Sequence, residues 1–209
     1  MNFKAFFMFC IFLFIIINIE AQNVLEKTIA ADKITSILIN GNQIFNISVV
    51  TSKTDEIIIR STLDGEYQND FQIVIKEESH TLKLSLEHLS LLEIPDDKRN
   101  AHKVIAATLH MEIPKELSLQ IMSDIGSVDV KGNFESLFIE LLQGQCQIEG
   151  EVKNANINTL DGDINVATKN AFISAKSSHG KVFLDPFSGS KSIWELKSRN
   201  GNITVVKLD

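Results

Sequence analysis

The residues best placed to do chemistry are Asp161, Asp163 and Asn165, which set three oxygen side chains at every second position of TLDGDINV (159–166). Donors at that spacing open a calcium loop, so the trio is the candidate calcium site. The match then fails. Val166 stands where such a loop needs glycine, and Phe172 where the closing bidentate Glu belongs. The paired glycines of RTX-type calcium repeats are also missing. The five histidines, at 80, 88, 102, 110 and 179, have no metal-ligand spacing. No nucleophile elbow, zinc-protease motif or phosphate-binding loop occurs. The expectation is therefore a non-enzyme with no metal and no cofactor. Trp194 reads as core, and Phe183 with Phe187 forms a candidate contact patch.

What must position these residues is a repeat. Glycines 126, 144, 162 and 180 are 18 residues apart, and Gly201 follows 21 later. Two and four residues after each glycine stand Val128/Val130, Cys146/Ile148, Ile164/Val166, Val182/Leu184 and Ile203/Val205, while the positions between are polar except Phe183. Alternation of this kind means a strand with one buried face. Cys146 lies in the inward column and reads as a small buried hydrophobe. A second apolar pair recurs later in each unit: Leu137/Ile139, Ala155/Ile157, Ile173/Ala175 and Trp194/Leu196. Gly132, Gly150, Thr168 and Pro186 mark the corner between the two strands. A fixed register across successive units predicts a parallel β-solenoid of about 18 residues per coil over residues 118–209. A β-sandwich with regular turns is the alternative. In the solenoid, Asp163 would stack on Lys181, Asp161 on His179 and Lys131 on Glu149. NITVVKLD (202–209) would be the terminal edge.

Residues 22–117 hold alternating runs without that period and read as a strand-rich region capping the solenoid. Within it, Phe71, Ile73 and Ile75 face Leu82, Leu84 and Leu86 in a hairpin, and EIPDDKRNAHK (93–103) reads as an exposed loop. Residues 1–21 read as a signal peptide: Lys4 precedes the apolar run Ala5–Ile17, and Ala21 offers a small residue at the cut. That run is shorter than the ~20 residues a membrane span needs. Removing Lys4 and Glu20 with it leaves the net charge at −7, which argues against nucleic acid as a partner. Only Cys146 then remains, so no internal disulfide can form.

The run LHMEIPKELSLQIMSDIGSVDV with the later DGDINV and NGNITV units resembles the bacterial "putative adhesin" family, exported domains of unknown function related to the auto-transporter adhesin head GIN domain. The resemblance covers roughly residues 34–209. It implies an exported β-solenoid without established catalysis and with a surface or interaction role; the partner expected is an unknown surface protein or glycan. Cys146, Gln145 and Gln147, and the 21-residue fourth unit, depart from the pattern. The function expected is that of an adhesin-like interaction protein, periplasmic, cell-surface or extracellular. A cell-envelope protein associating edge to edge through its terminal rung is the first alternative, and a polysaccharide-active β-helix enzyme the second.

Overall fold

The computed structural model describes residues 23–65, 68–89, 106–187 and 191–208, so the expected leader and the loop at 93–103 lie outside the described residues. Among the described residues fifteen strands follow one another: β1 (Asn23–Ala30), β2 (Ser36–Asn40), β3 (Ile44–Ser52), β4 (Glu56–Asp64), β5 (Phe71–Glu78), β6 (Thr81–His88), β7 (Ala106–Pro114), β8 (Ser118–Ile125), β9 (Ser127–Gln143), β10 (Cys146–Asp161), β11 (Ile164–Thr168), β12 (Phe172–Ser177), β13 (Val182–Leu184), β14 (Ile193–Ser198) and β15 (Ile203–Lys207). All belong to one sheet. One half runs β1-β4-β7-β3-β9-β10-β11-β15-β13, and the other runs β5-β6-β2-β8-β9-β10-β14-β12. The long strands β9 and β10 serve both halves. They bend at Gly132 (φ +125°) and Gly150 (φ +142°) without breaking, so the corners expected there lie inside continuous strands.

The expectation of a parallel β-solenoid is thereby corrected. The chain is all-β, but its sheet is of mixed orientation and rolls into a nearly closed barrel. β1, β4 and β7 pair antiparallel, as do β5 and β6. Nor do the repeat units stack in chain order. β11 pairs with β15, not β13, and β10 pairs with β14, not β12. Taken as β14, the turn at Gly201 and β15, the last unit therefore lies between the third turn, at Gly162, and the fourth, at Gly180, and β15 is an interior strand where the sequence suggested an edge. The hairpin of β5 and β6 turns through Ser79 (φ 57°) and pairs Ile73 with Leu86 and Ile75 with Leu84, but Phe71 meets His88, not a leucine.

Burial explains the exchange of position. Trp194, Leu196, Ile203 and Val205 are fully buried, whereas Val182 and Leu184 on β13 are each 43% exposed. An interior place covers a strand on both sides, and an edge covers it on one. Trp194 and Leu196 stand in register with Ile173 and Ala175. Giving the interior to the bulkier pair buries several more methylene equivalents, at about 0.8 kcal/mol for each one fully buried. Trp194 also gains a partner for its polar atom, since Nε1 donates to Val152 O at 3.1 Å.

The glycines record the same order through backbone contact. A Cβ at Gly144 would lie 2.0 Å from Gly126 O, one at Gly162 1.7 Å from Gly144 O, one at Gly201 1.9 Å from Gly162 O, and one at Gly180 2.1 Å from Gly201 O. Four of these glycines stand three residues after a hydroxyl, in SDIG, TLDG, SSHG and SRNG. In three of them the hydroxyl serves the corner. Thr159 Oγ1 donates to Gly162 O at 2.7 Å, while Ser177 Oγ accepts from Gly180 N and Ser198 Oγ from Gly201 N, each at 2.8 Å. Ser123 instead donates to Gly41 O at 2.9 Å.

Gly144→Ala, which meets a backbone carbonyl at φ +132°, should lose roughly 2–5 kcal/mol. Ser198→Ala, which strands a buried amide, should lose roughly 1–3 kcal/mol. Urea unfolding of both variants checks this; a Gly144→Ala protein within about 0.5 kcal/mol of the parent would be no more than an ordinary surface change and would contradict the contact.

Candidate interaction surface

Among the described residues the buried side chains are mainly apolar, and alternate side chains on the outer faces stand in rows across the strands. On one half, Gln147, Asn165, Thr204 and Phe183 are successive register partners. Gln147, Asn165 and Thr204, with Ala167 and Val206, line a shallow concavity of about 330 Å³. On the other half, Thr81, Ser36, Ser118 and Ser136 form a row of hydroxyls, with Ser36 Oγ 2.7 Å from Thr81 Oγ1. Leu38, Gln120 and Phe138 form the parallel row. The two rows line a groove of about 220 Å³. Sequence reasoning missed this groove, because it joins residues from four strands spread over more than 100 positions.

The candidate calcium residues are engaged within the sheet. Asp161 accepts a hydrogen bond from Asn200 Nδ2, and Asn200 Oδ1 lies 2.8 Å from His179 Nδ1. Asp163 Oδ1 accepts from Asn202 N at 2.7 Å, and Asn202 Oδ1 accepts from Lys181 N at 2.9 Å. The sequence placed Asp161 directly on His179 and Asp163 directly on Lys181. An asparagine of the inserted last unit stands between the members of each pair. Asn165 lies between Gln147 and Thr204. Among the described residues, no group of three or more His, Cys, Asp or Glu is placed to hold a metal ion.

Lys131 and Glu149 meet as expected, at 2.7 Å. Lys153 pairs with Glu135, and Lys197 Nζ lies 2.5 Å from Glu195 Oε1. These exposed pairs contribute little, because water and salt screen them. Hydrogen bonding to Glu135 raises the Lys153 ammonium, and hydrogen bonding to Lys83 holds the Glu78 carboxyl below its usual range. The described histidines are dispersed. His80 Nδ1 lies 2.9 Å from Lys33 O, His110 Nδ1 3.3 Å from Ser48 Oγ, and His88 packs edge-on against Phe71. His102 lies outside the described residues.

Cys146 is fully buried. Burial pushes its thiol far up, and the charge of Asp129 pushes the same way, so it stays neutral at physiological pH and is no nucleophile. The expected patch of Phe183 and Phe187 divides. Phe183 is 59% exposed on β13, whereas Phe187 packs against the core. The exposed apolar neighbours of Phe183 are instead Val182 and Leu184, with Phe172 and Ile193 on the adjoining half of the sheet.

Two measurements check this placement. Thiol reagents should label Cys146 only in denaturant, and rapid labelling of the folded protein would contradict its inward position. Calcium at millimolar concentration should leave the melting midpoint unchanged, and a clear rise would show that Asp161 and Asp163 gather round an ion.

No family model matches the chain, and no curated protein matches it. Among solved structures it is similar to one described as a "putative cell adhesion protein" from Clostridium sporogenes, with a TM-score of 0.63 and 13% identity over 90% of this chain and 100% of that one. At that identity the likeness is one of fold. A "putative adhesin" from Bacteroides fragilis aligns over 88% of this chain and 97% of its own at 13% identity, with a TM-score of 0.37 that carries no argument.

Proposed function

We propose that this is an exported bacterial interaction protein of adhesin type, non-enzymatic, which meets a surface protein or glycan through the outer face of its barrel. The observation that carries this reading is the groove between the Thr81-Ser36-Ser118-Ser136 row and the Leu38-Gln120-Phe138 row. Strand neighbours lie about 4.8 Å apart, so hydroxyls and an amide recur along the groove at a spacing suited to an extended, repetitive ligand. Phe138 and Leu38 supply apolar surface beside them, the mixture of one apolar and one polar wall that binding sites use for contact and orientation. The serine and threonine hydroxyls both donate and accept, as sugar hydroxyls and peptide groups require.

A glycan array and a screen of surface proteins test this reading. Gln120→Ala with Phe138→Ala should weaken the best ligand at least tenfold, about 1.4 kcal/mol, with the melting midpoint little changed. Undiminished binding by that variant would place the contact elsewhere. Turnover of any bound glycan would overturn the non-enzymatic reading.

A further inference from the structure

We infer that the side of the barrel ending in β12 and β13 is an association surface for the opposite side, ending in β1 and β5, of a second copy of this chain, giving head-to-tail assembly. The inference is independent of what the outer groove binds.

Each side ends in two strands, one from each half of the sheet, that have a strand neighbour on one flank only among the described residues. Such edges present unpaired backbone groups ready to accept another strand. Both sides also leave part of the core uncovered. Ile173, Ala175 and Phe187 are only partly buried at one, and Leu25, Ile29, Phe71 and Ile75 at the other. Phe172 at 65% exposure, Phe183, Val182 and Leu184 gather at the β12–β13 side. Apolar residues concentrated at an open sheet edge mark a contact surface.

Charge decides the occupant. Residues 167–209 carry seven Lys and Arg against three Asp and Glu, while residues 23–89, which hold β1 to β6, carry six against ten. Lys169, Lys176, Lys181 and Lys191 are exposed around the apolar patch, while on or near β1 and β5 Glu56 and Glu77 are exposed, Glu26 and Glu78 pair with Arg60 and Lys83, and Lys76 pairs with Glu87, leaving Lys27 as the exposed cation of β1. Two β12–β13 sides facing each other would bring lysines together. A β12–β13 side facing a β1–β5 side brings lysines to carboxylates and two open edges to two open edges. Unlike surfaces that meet this way repeat without closing and give open chains.

Sedimentation velocity on residues 22–209, which contain every described strand, tests the inference. The parent should form species larger than a dimer as concentration rises, and these should dissociate at high salt. Lys176→Glu with Lys181→Glu, and separately Glu56→Lys with Glu77→Lys, should each weaken association at least tenfold while keeping the parent's circular dichroism and melting midpoint. An equimolar mixture of the two folded variants should recover the larger species, because each offers the other a complementary side. A parent that stays monomeric at its highest soluble concentration would overturn the proposal. So would charge variants that associate like the parent, or a dimer insensitive to Glu56→Lys with Glu77→Lys.

Discussion

The close approach of one glycine backbone to the next is the constraint on which the rest of the structure depends. At Gly126, Gly144, Gly162, Gly201 and Gly180, the space where a Cβ would stand is filled by the carbonyl of the neighbouring turn. Five turns can lie this close only if none carries a side chain. Once they do, each following strand starts at the same level, and its second and fourth residues fall in the same inward columns. The buried stack of Val128, Cys146, Ile164 and Ile203 follows from that alignment. So does the alignment of outward side chains into rows. The hydroxyls of Thr159, Ser177 and Ser198 bond backbone groups at three of these turns, the carbonyl of Gly162, the amide of Gly180 and the buried amide of Gly201.

Because the inside is committed to packing, the buried thiol there is silenced. Cys146 is a neutral filler between Val128 and Ile164. Recognition then has two kinds of surface available: the rows on the outer faces and the unpaired edges of the sheet. The rows are polar, shallow and repetitive, suited to an extended ligand. The edges are apolar, and opposite in charge at the two sides, suited to another copy. One chain can therefore use both without competition between them.

Much of this was legible in the sequence. The 18-residue glycine spacing gave the parallel register from Val128 to Val166, and period-2 alternation gave the buried columns, including Trp194 and Cys146. Three features were hidden for identifiable reasons. β2 and β3 lie beside β8 and β9 at offsets of 82 and 81 residues, as in Ile37 with Leu119 and Ile47 with Val128. Neither offset is a multiple of 18, because β4 to β7 intervene. The place of the last unit was hidden because Gly180 keeps the 18-residue step from Gly162, which suggests sequential stacking. Side-chain bulk at Trp194 and Leu196, which spacing does not report, overrides it. The groove was hidden because it exists only once β2, β6, β8 and β9 lie side by side. The hydroxyl three residues before four of the glycines was visible in the sequence, and its meaning needed the corner geometry.

The position of the last unit between the third and fourth is the claim from which the edges, the buried tryptophan and the bridging asparagines all follow. Cross-linking of cysteine pairs measures it most directly. With Asp163→Cys and Asn202→Cys in one chain, a bifunctional methanethiosulfonate with one methylene between its reactive ends, which loses a sulfinate at each thiol, should join the two positions rapidly in the folded protein, since they occupy adjacent strand ends about 4.8 Å apart. With Asp163→Cys and Lys181→Cys, separated by an intervening strand, the same reagent should give no intramolecular product. Efficient closure of the 163–181 pair with none for the 163–202 pair would contradict the inserted order and restore sequential stacking.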